Sequence, residues 1–254
     1  MNATLTVSRE PVIDRNARDV TVRLTDRWGE VFFRNSAWVE SNRAYVKKQS
    51  GGKIGYVYVV NSHVNGSREF MRQFQQHLDD EALIIDSRWN MGGHLPLHMI
   101  EVLSRQTYAY TVFSRKPAGG TPRYMHAGPK CLLINGVNVS GGDELPVFFR
   151  KRGLGRIVGT TTSGGMLGVG GIRISYVDGS SSGLPHVGFQ DESGRWVVEG
   201  HGVEPDITVI DDPALTSQGI DPQLDRAIQL LLSEIRAATS RTGVGAPARP
   251  ATPP

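Results

Sequence analysis

The sequence predicts an α/β fold built on a mixed, largely parallel sheet with covering helices. Three apolar runs have the length of buried strands, namely Ile54–Val60, Ala82–Ile85 and Cys131–Ile134. Between the first two lies Ser67–Leu78, whose apolar side chains recur at helical spacing. Alternating strands and helices favour parallel crossovers, and ligands then bind where strand C-termini meet helix N-termini.

The chain before these elements predicts a small or incomplete β unit, because it contains short alternating runs such as Val31–Phe33. Ser36–Lys48 has apolar residues along one side and predicts a helix that leads into the main domain. We therefore expect a first segment at 1–35, a main domain at 36–239 and a tail at 240–254. The tail is rich in Pro, Gly and Ala without periodicity, and we expect it to be disordered.

Later in the chain, the pattern predicts further strands and a well-marked final helix. Asp221 caps this helix, Pro222 occupies its first position, and an apolar stripe follows. The other predicted elements are a helix at Leu95–Ser104 and strands at Tyr108–Phe113, Arg156–Gly159, Ile172–Val177 and Val187–Gln190.

Composition is typical of a soluble globular protein with a substantial core. Hydrophobic residues make up 39% and charged residues 21% of the 254 residues, with a net charge of +3. No apolar run approaches the roughly 20 residues that span a bilayer, and no signal peptide is visible, so we expect a cytoplasmic protein without a membrane partner. The single cysteine, Cys131, excludes an internal disulfide, and the basic residues are too scattered for a nucleic-acid partner.

The stretch from Pro129 to Gly153 carries the first candidate for chemistry. Its apolar strand is followed by a Gly-rich turn, with Ser140 just before Gly141-Gly142, and then by a helix. Such a turn can expose a hydroxyl beside helix-terminal N–H groups, which acyl transfer needs to stabilise an oxyanion. Ser140 can equally be a plain N-cap, since serine is a preferred residue at that position.

Two further segments can contribute to the same site. Gly92-Gly93 also lies at a strand-to-helix turn, so its N–H groups can face the same cleft as that of Gly141; two ordinary tight turns are the alternative. Neither turn matches the phosphate-binding pattern, which argues against nucleotides. Glu199 follows a predicted strand and can orient a catalytic His or Ser, or can be a solvated carboxylate at a strand end.

Five motifs in register resemble the tricorn protease group of the tail-specific (S41) serine peptidases. They extend from Trp38 to Ile235, about four fifths of the chain. The motifs are Asp86-x-Arg88-x-Asn90-x-Gly92-Gly93, Ser140-Gly141-Gly142-Asp143 ahead of a Phe-Phe-Arg-Lys helix, Gly153-Leu154-Gly155-x-x-x-Gly159-Thr160, Glu199-x-x-Gly202-Val203-x-Pro205-Asp206, and Asp221-Pro222-Gln223-Leu224.

The resemblance implies the ClpP/crotonase-like C-terminal catalytic subdomain of a serine peptidase, preceded by a partial PDZ-like segment. It implies that Ser140 is the nucleophile, that Gly93 and Gly141 supply the oxyanion N–H groups, and that Glu199 steadies the catalytic apparatus. The substrate is then a peptide, and no metal or organic cofactor is implied. The family's acidic substrate-binding residue, which favours basic side chains, falls at the uncharged Thr111, so this preference does not carry over.

The general base is the point at which the chain departs from this family. The family's Ser-His pair belongs to a subdomain N-terminal to the PDZ domain, and this chain does not contain it. Other tail-specific peptidases use a lysine on the strand after the serine, where this sequence reads Thr160–Gly165 without a lysine. His63 and His201 are the alternative bases within the chain, and His94 is placed to line the substrate cleft.

Three hypotheses about function remain, of which we expect the first. The chain is a peptidase fragment whose catalytic histidine comes from a partner chain with the Ser-His subdomain, or from a homo-oligomer. Alternatively, it is a peptide-binding module that retains the cleft without the base. The third hypothesis is a crotonase-like acyl-CoA enzyme, which also uses paired backbone N–H groups and needs a CoA-binding surface.

Overall fold

The computed structural model describes residues 2–113, 116–169 and 171–242, and the chain divides into two compact units. The first unit ends at Asn42 and contains a hairpin of two antiparallel strands, β1 (Asn2–Val7) and β2 (Arg18–Arg23). Helix α1 (Arg27–Gln49) begins in this unit. The predicted tail lies, from residue 243 onward, outside the described residues.

The prediction that Val31–Phe33 forms a strand is wrong, because these residues lie within α1. Local contacts at the start of the helix explain the difference. Asp26 accepts a hydrogen bond from the Gly29 N–H at 2.7 Å, as an N-cap does. Glu30 pairs with Arg34 one turn later at 2.7 Å, a spacing that supports a helix. The PDZ-like character of the first segment stays a prediction.

The second unit, from Arg43 onward, alternates strands and helices. After the end of α1, its elements are β3 (Ile54–Tyr58), α2 (Val64–Phe74), β4 (Ala82–Asp86), α3 (Pro96–Leu103), β5 (Ala109–Phe113), β6 (Lys116–Thr121), β7 (Lys130–Ile134), α4 (Gly141–Lys151), β8 (Gly155–Gly159), β9 (Ile172–Ser175), β10 (Ser181–Leu184), β11 (Ile207–Thr208), α5 (Pro213–Thr216) and α6 (Pro222–Thr242).

Five of these strands form one sheet in the order β11-β8-β7-β4-β3, and every neighbouring pair in it is parallel. The predicted largely parallel sheet with covering helices is confirmed. Every residue of β3, β4 and β7 is buried, which explains their unbroken apolar runs. Because the strands are parallel, their carboxyl ends share one edge of the sheet, and the turns after β4 and β7 both start there.

Helices cover both faces of this sheet. On one face, Phe70 and Phe74 of α2, Met99 of α3, and Leu145 and Phe149 of α4 pack with alternate strand residues in one buried cluster. On the other face, α6 packs on β4, β7 and β8. Its buried apolar residues are Leu224, Ala227, Ile228, Leu231 and Ile235. The buried cluster on the first face holds α4 against the strands, and with it the turn that carries Ser140.

Two smaller antiparallel hairpins lie outside the main sheet, β5 with β6 and β9 with β10. The prediction of a strand at Val187–Gln190 is wrong, because this stretch makes only isolated β-bridges, from Val187 to Gly168 and from Gln190 to Trp196. Asp221 caps α6 as predicted, since its carboxylate accepts from the Leu224 N–H at 3.0 Å. Within the described ranges, no helix is long and apolar enough to cross a membrane.

Candidate active site

Ser140 occupies the turn between β7 and α4, at the N-cap position of α4. Its backbone has φ 58° and ψ −121°, a conformation that residues with a β-carbon rarely adopt. Ser140 and Asp143 have the arrangement of a capping box, but the serine hydroxyl makes no capping hydrogen bond. The Asp143 N–H donates instead to the main-chain oxygen of Ser140 at 2.8 Å. The half-buried serine therefore sits at a cap position while its hydroxyl remains available.

The Gly92-Gly93 turn after β4 lies directly against Ser140 and Gly141. A β-carbon on Gly92 would come within 2.8 Å of the Ser140 β-carbon. One on Gly141 would lie 2.9 Å from the Gly93 nitrogen and closer still to the Gly93 oxygen. Gly92 and Gly93 also have positive φ values, 101° and 135°. Glycine permits this approach, and the structure thus brings the two predicted turns together.

The N–H groups of Gly93 and Gly141 lie at this contact. Neither donates a hydrogen bond within the part of the chain that the structure describes. Gly141 opens α4, so its N–H is one of the donors that a helix leaves unsatisfied at its N-terminus. Two such N–H groups beside one hydroxyl are what the stabilisation of an oxyanion requires.

A buried network of two asparagines and two serines holds the turns together. Asn90 accepts from the Gly92 N–H at 3.0 Å and donates to the hydroxyls of Ser62 and Ser87 at 3.2 and 3.3 Å. Asn138 donates to the main-chain oxygen of Ser87 at 2.7 Å. All four side chains are buried. Sequence reasoning missed this network, and the available signal was the asparagine in each strand-end turn.

A third segment, Ser62-His63, packs against the Gly92-Gly93 turn. The Ser62 N–H donates to the Gly92 oxygen at 2.7 Å, and the Ser62 oxygen accepts from the Leu95 N–H at 2.9 Å. A β-carbon on Gly93 would overlap the backbone of Ser62 and His63. Gly93 is therefore enclosed between this segment and Gly141, which fixes the position of its N–H.

The three histidines considered as base or cleft residues are all exposed. The rings of His63 and His94 have centroids 5.8 Å apart in an edge-to-face arrangement. The Nδ1 atom of His201 lies 2.9 Å from the Gly202 oxygen. Among the described residues, none of these imidazoles hydrogen-bonds to the Ser140 hydroxyl. The structure therefore does not pair the serine with any of them.

Glu199 binds the loop beside Ser140. One of its carboxylate oxygens accepts from the N–H groups of Met166 and Leu167 at 2.8 and 2.9 Å. The same loop supplies the oxygen of Gly165, which accepts from the Ser140 N–H at 3.0 Å. Glu199 is thus connected to Ser140 through this loop rather than through a histidine.

Thr111 lies on β5, where its hydroxyl is 2.9 Å from that of Thr121. This contact places it in the β5–β6 hairpin, which is separate from the main sheet. The described contacts do not bring Thr111 to Ser140. Among the described side chains, no three or more His, Cys, Asp or Glu residues form a group that could hold a metal ion.

Next to the Gly92-Gly93 turn, Arg88 ties the end of β4 to the start of α6. The guanidinium is buried, and it contacts Asp86 at 2.7 Å and Asp221 at 2.8 Å. It also donates to the Gln223 side-chain oxygen at 3.3 Å. One buried cation thus pairs with two carboxylates. Motif residues from two distant parts of the sequence form one cluster that anchors the turn.

Burial shifts the pKa values of several groups, and three of these shifts bear on the range from about pH 4 to 8. Burial raises the pKa of Glu144, one turn after Ser140, to about 7. At the other end of the sheet, where β7 begins, burial lowers the pKa of Lys130 to about 8. Burial, together with the nearby Lys130 charge, lowers the pKa of His126 to about 4. These shifts make the stability of the protein depend on pH.

Comparison with known proteins gives a consistent result. The family model for peptidase family S41 matches residues 53–209. Tricorn protease homolog 1 from Streptomyces coelicolor is 34% identical over 88% of this chain and 20% of its own length. Tricorn protease from Thermoplasma acidophilum is 33% identical over 86% of this chain and 20% of its own length.

The same similarity is found among solved structures. A crystal structure of tricorn protease superimposes with a TM-score of 0.79 at 33% identity, over 87% of this chain and 21% of that chain. The chain therefore spans about a fifth of the length of the relatives that it matches.

Proposed function

The chain belongs to peptidase family S41, and from that membership we propose that it cleaves peptide bonds with Ser140 as the nucleophile. The observation that carries the proposal is the pair of N–H groups, on Gly93 and Gly141, that adjoin Ser140 without an acceptor among the described residues. The uncommitted serine hydroxyl supports it as well. Peptides are the proposed substrate class.

In the proposed reaction, the Ser140 hydroxyl oxygen attacks the carbonyl carbon of the peptide bond while a general base takes the hydroxyl proton. The carbonyl oxygen becomes an oxyanion that accepts hydrogen bonds from the N–H groups of Gly93 and Gly141. The intermediate then expels the amine, which receives the proton, and leaves an ester on Ser140. Water hydrolyses this ester to release the acid and restore the serine.

The general base of the proposed reaction comes from a segment or a chain other than the residues around Ser140. Two observations support this: none of the described histidines hydrogen-bonds to the serine hydroxyl, and Thr160–Gly165 contains no lysine. An oxyanion hole and substrate binding alone still accelerate hydrolysis about 10³–10⁴-fold over water when a triad is broken. We therefore expect trace hydrolysis by this chain alone, and His63→Ala should leave it unchanged.

Other residues have supporting roles in the proposal. Glu199 steadies the site by holding the loop that bonds to the Ser140 N–H. His94, which is exposed and directly follows Gly93, lines the substrate cleft. A substrate contact by Thr111 stays a prediction, since its described contact is with Thr121.

A fluorophosphonate probe tests the proposal, because it reacts with activated serine hydroxyls and needs an oxyanion site. We expect peptide mapping to find the label on Ser140, and Ser140→Ala to abolish it. Labelling of His63→Ala at the unaltered rate would confirm that this histidine is not the base. A protein that binds peptides but takes no label, even after a chain carrying the Ser-His subdomain is added, would instead be a peptide-binding module, and the proposed reaction would be wrong.

A further inference from the structure

Asp143 is a buried carboxylate whose two oxygens are both engaged by backbone N–H groups. It lies on the first turn of α4 and is fully buried. One oxygen accepts from the Ser140 N–H at 2.9 Å, and the other accepts from the Gly164 N–H at 3.0 Å. Across the described side chains, no Lys, Arg or His forms a salt bridge with it. These charge-assisted bonds and the N-terminus of α4 stabilise its negative charge.

The bond from Ser140 acts on a strained backbone. The positive φ of Ser140, 58°, persists only where the surrounding contacts hold it. Its N–H is held from two sides, by Asp143 at 2.9 Å and by the Gly165 oxygen at 3.0 Å. Because the direction of the N–H depends on φ, and φ decides where the β-carbon points, these two acceptors set the direction of the Ser140 Cα–Cβ bond, from which the hydroxyl projects.

The bond from Gly164 holds the neighbouring loop. Gly164 directly precedes Gly165, whose oxygen is the second acceptor for the Ser140 N–H. Asp143 therefore contacts Ser140 directly and also fixes the loop that contacts Ser140 from the other side. Glu199 holds the same loop two residues further on, at Met166.

We infer that Asp143 is a positioning residue for the nucleophile, an inference that rests on the proposed function. Its carboxylate orients Ser140 through the main chain so that the hydroxyl lies beside the N–H groups of Gly93 and Gly141. Asp143 is fully buried, and its two oxygens accept from the Ser140 and Gly164 N–H groups, so it acts through the main chain and does not touch the substrate.

Asp143→Asn tests the inference, because the amide keeps the shape of the side chain but has one oxygen to accept with. Its NH₂ group must face the N–H of either Ser140 or Gly164. Both of these N–H groups are donors, so one of the two hydrogen bonds is lost. We expect the maximal rate of fluorophosphonate labelling to fall about 10- to 100-fold, as a displaced reacting group does. The probe concentration at half-maximal rate should change by less than about twofold, since the binding cleft is untouched.

A matched control and a second readout separate positioning from general stability. Asp206→Asn also removes a carboxylate that accepts a backbone N–H, that of Ile157 on β8 at 2.8 Å. It should lower the urea midpoint while labelling at the unaltered maximal rate. In Asp143→Asn, amide hydrogen exchange at Ser140 and Gly164 should become faster while the rest of the main sheet exchanges as before.

The outcomes distinguish this inference from the proposed function. If the unaltered chain takes no label even with a chain carrying the Ser-His subdomain added, the proposed function fails. Hydrogen exchange then decides, because unchanged exchange at Ser140 and Gly164 in Asp143→Asn overturns the positioning role. If the chain is labelled and a folded Asp143→Asn is labelled within about twofold of it, the inference is likewise overturned. If Asp143→Asn does not fold, the variant with a smaller side chain, Asp143→Ser, replaces it. If neither variant folds, the aspartate stabilises the fold as a whole and the inference is wrong.

Discussion

Gly141→Ala should close the proposed oxyanion site while the protein remains folded. A β-carbon on residue 141 would lie 2.9 Å from the Gly93 nitrogen, 3.2 Å from the Gly93 carbonyl carbon and closer to its oxygen. These are backbone atoms, so no side-chain rotation relieves the contact. Ordinary contacts between heavy atoms lie at about 3.5–4.0 Å, and the Gly92-Gly93 turn must therefore retreat by about 1 Å.

A retreat of that size takes the Gly93 N–H away from an oxyanion formed at Ser140. The loss of one oxyanion donor lowers a rate about 10²–10³-fold, and a misplacement of about 1 Å lowers it about 10²-fold. Overpacking of this kind costs about 1–3 kcal/mol of stability. We expect fluorophosphonate labelling of Ser140 to slow at least about 100-fold, and the free energy of unfolding in urea to fall by about 1–3 kcal/mol.

Gly136→Ala is the matched control, since it adds the same methyl group to the same strand-to-helix turn. Its β-carbon would meet its nearest neighbour, the Thr161 oxygen, at 3.5 Å, an ordinary contact. This variant should be labelled as fast as the unaltered protein. Labelling of a folded Gly141→Ala at the unaltered rate would refute the argument, and so would an equal loss in Gly136→Ala.

Two further predictions concern stability measured by urea unfolding. Arg88→Ala leaves Asp86 buried without its cation and should cost about 3–5 kcal/mol; a loss below about 1 kcal/mol would contradict the pairing. The pKa of His126 is lowered to about 4 from 6.5, so the protein gains about 3 kcal/mol of stability that is complete above pH 6.5 and lost as the pH falls towards 4. The pKa of Glu144 is raised to about 7 from 4.5, so the stability that it contributes, also about 3 kcal/mol, is complete below pH 4.5 and lost as the pH rises towards 7. Between pH 4.5 and 6.5, Glu144→Gln should therefore lose stability on acidification and His126→Gln on alkalinisation, and slopes of the same sign in both variants would overturn this assignment.

The layout of the main sheet could be predicted from the sequence because burial on both faces leaves unbroken apolar runs. β3, β4 and β7 are such runs, and each is buried at every position. The final helix could also be predicted from the sequence, because Asp221 and Pro222 mark its start. Val31–Phe33 was misassigned because an apolar triplet fits either a strand or a helix. The hydrogen bond from Gly29 to Asp26 and the ion pair between Glu30 and Arg34 favour the helix that the structure shows.

The sequence by itself determined that two Gly-rich turns and one serine stand at the carboxyl ends of parallel strands. The tertiary structure alone decided how close they come: Gly141 against Gly93, and a Ser140 hydroxyl that does not serve as the helix cap. It also decided that Asp143 joins Ser140 to Gly164. The physical reason is that hydrogen bonds between segments distant in sequence depend on which strands are neighbours and in what register, and no local pattern of residues encodes that pairing.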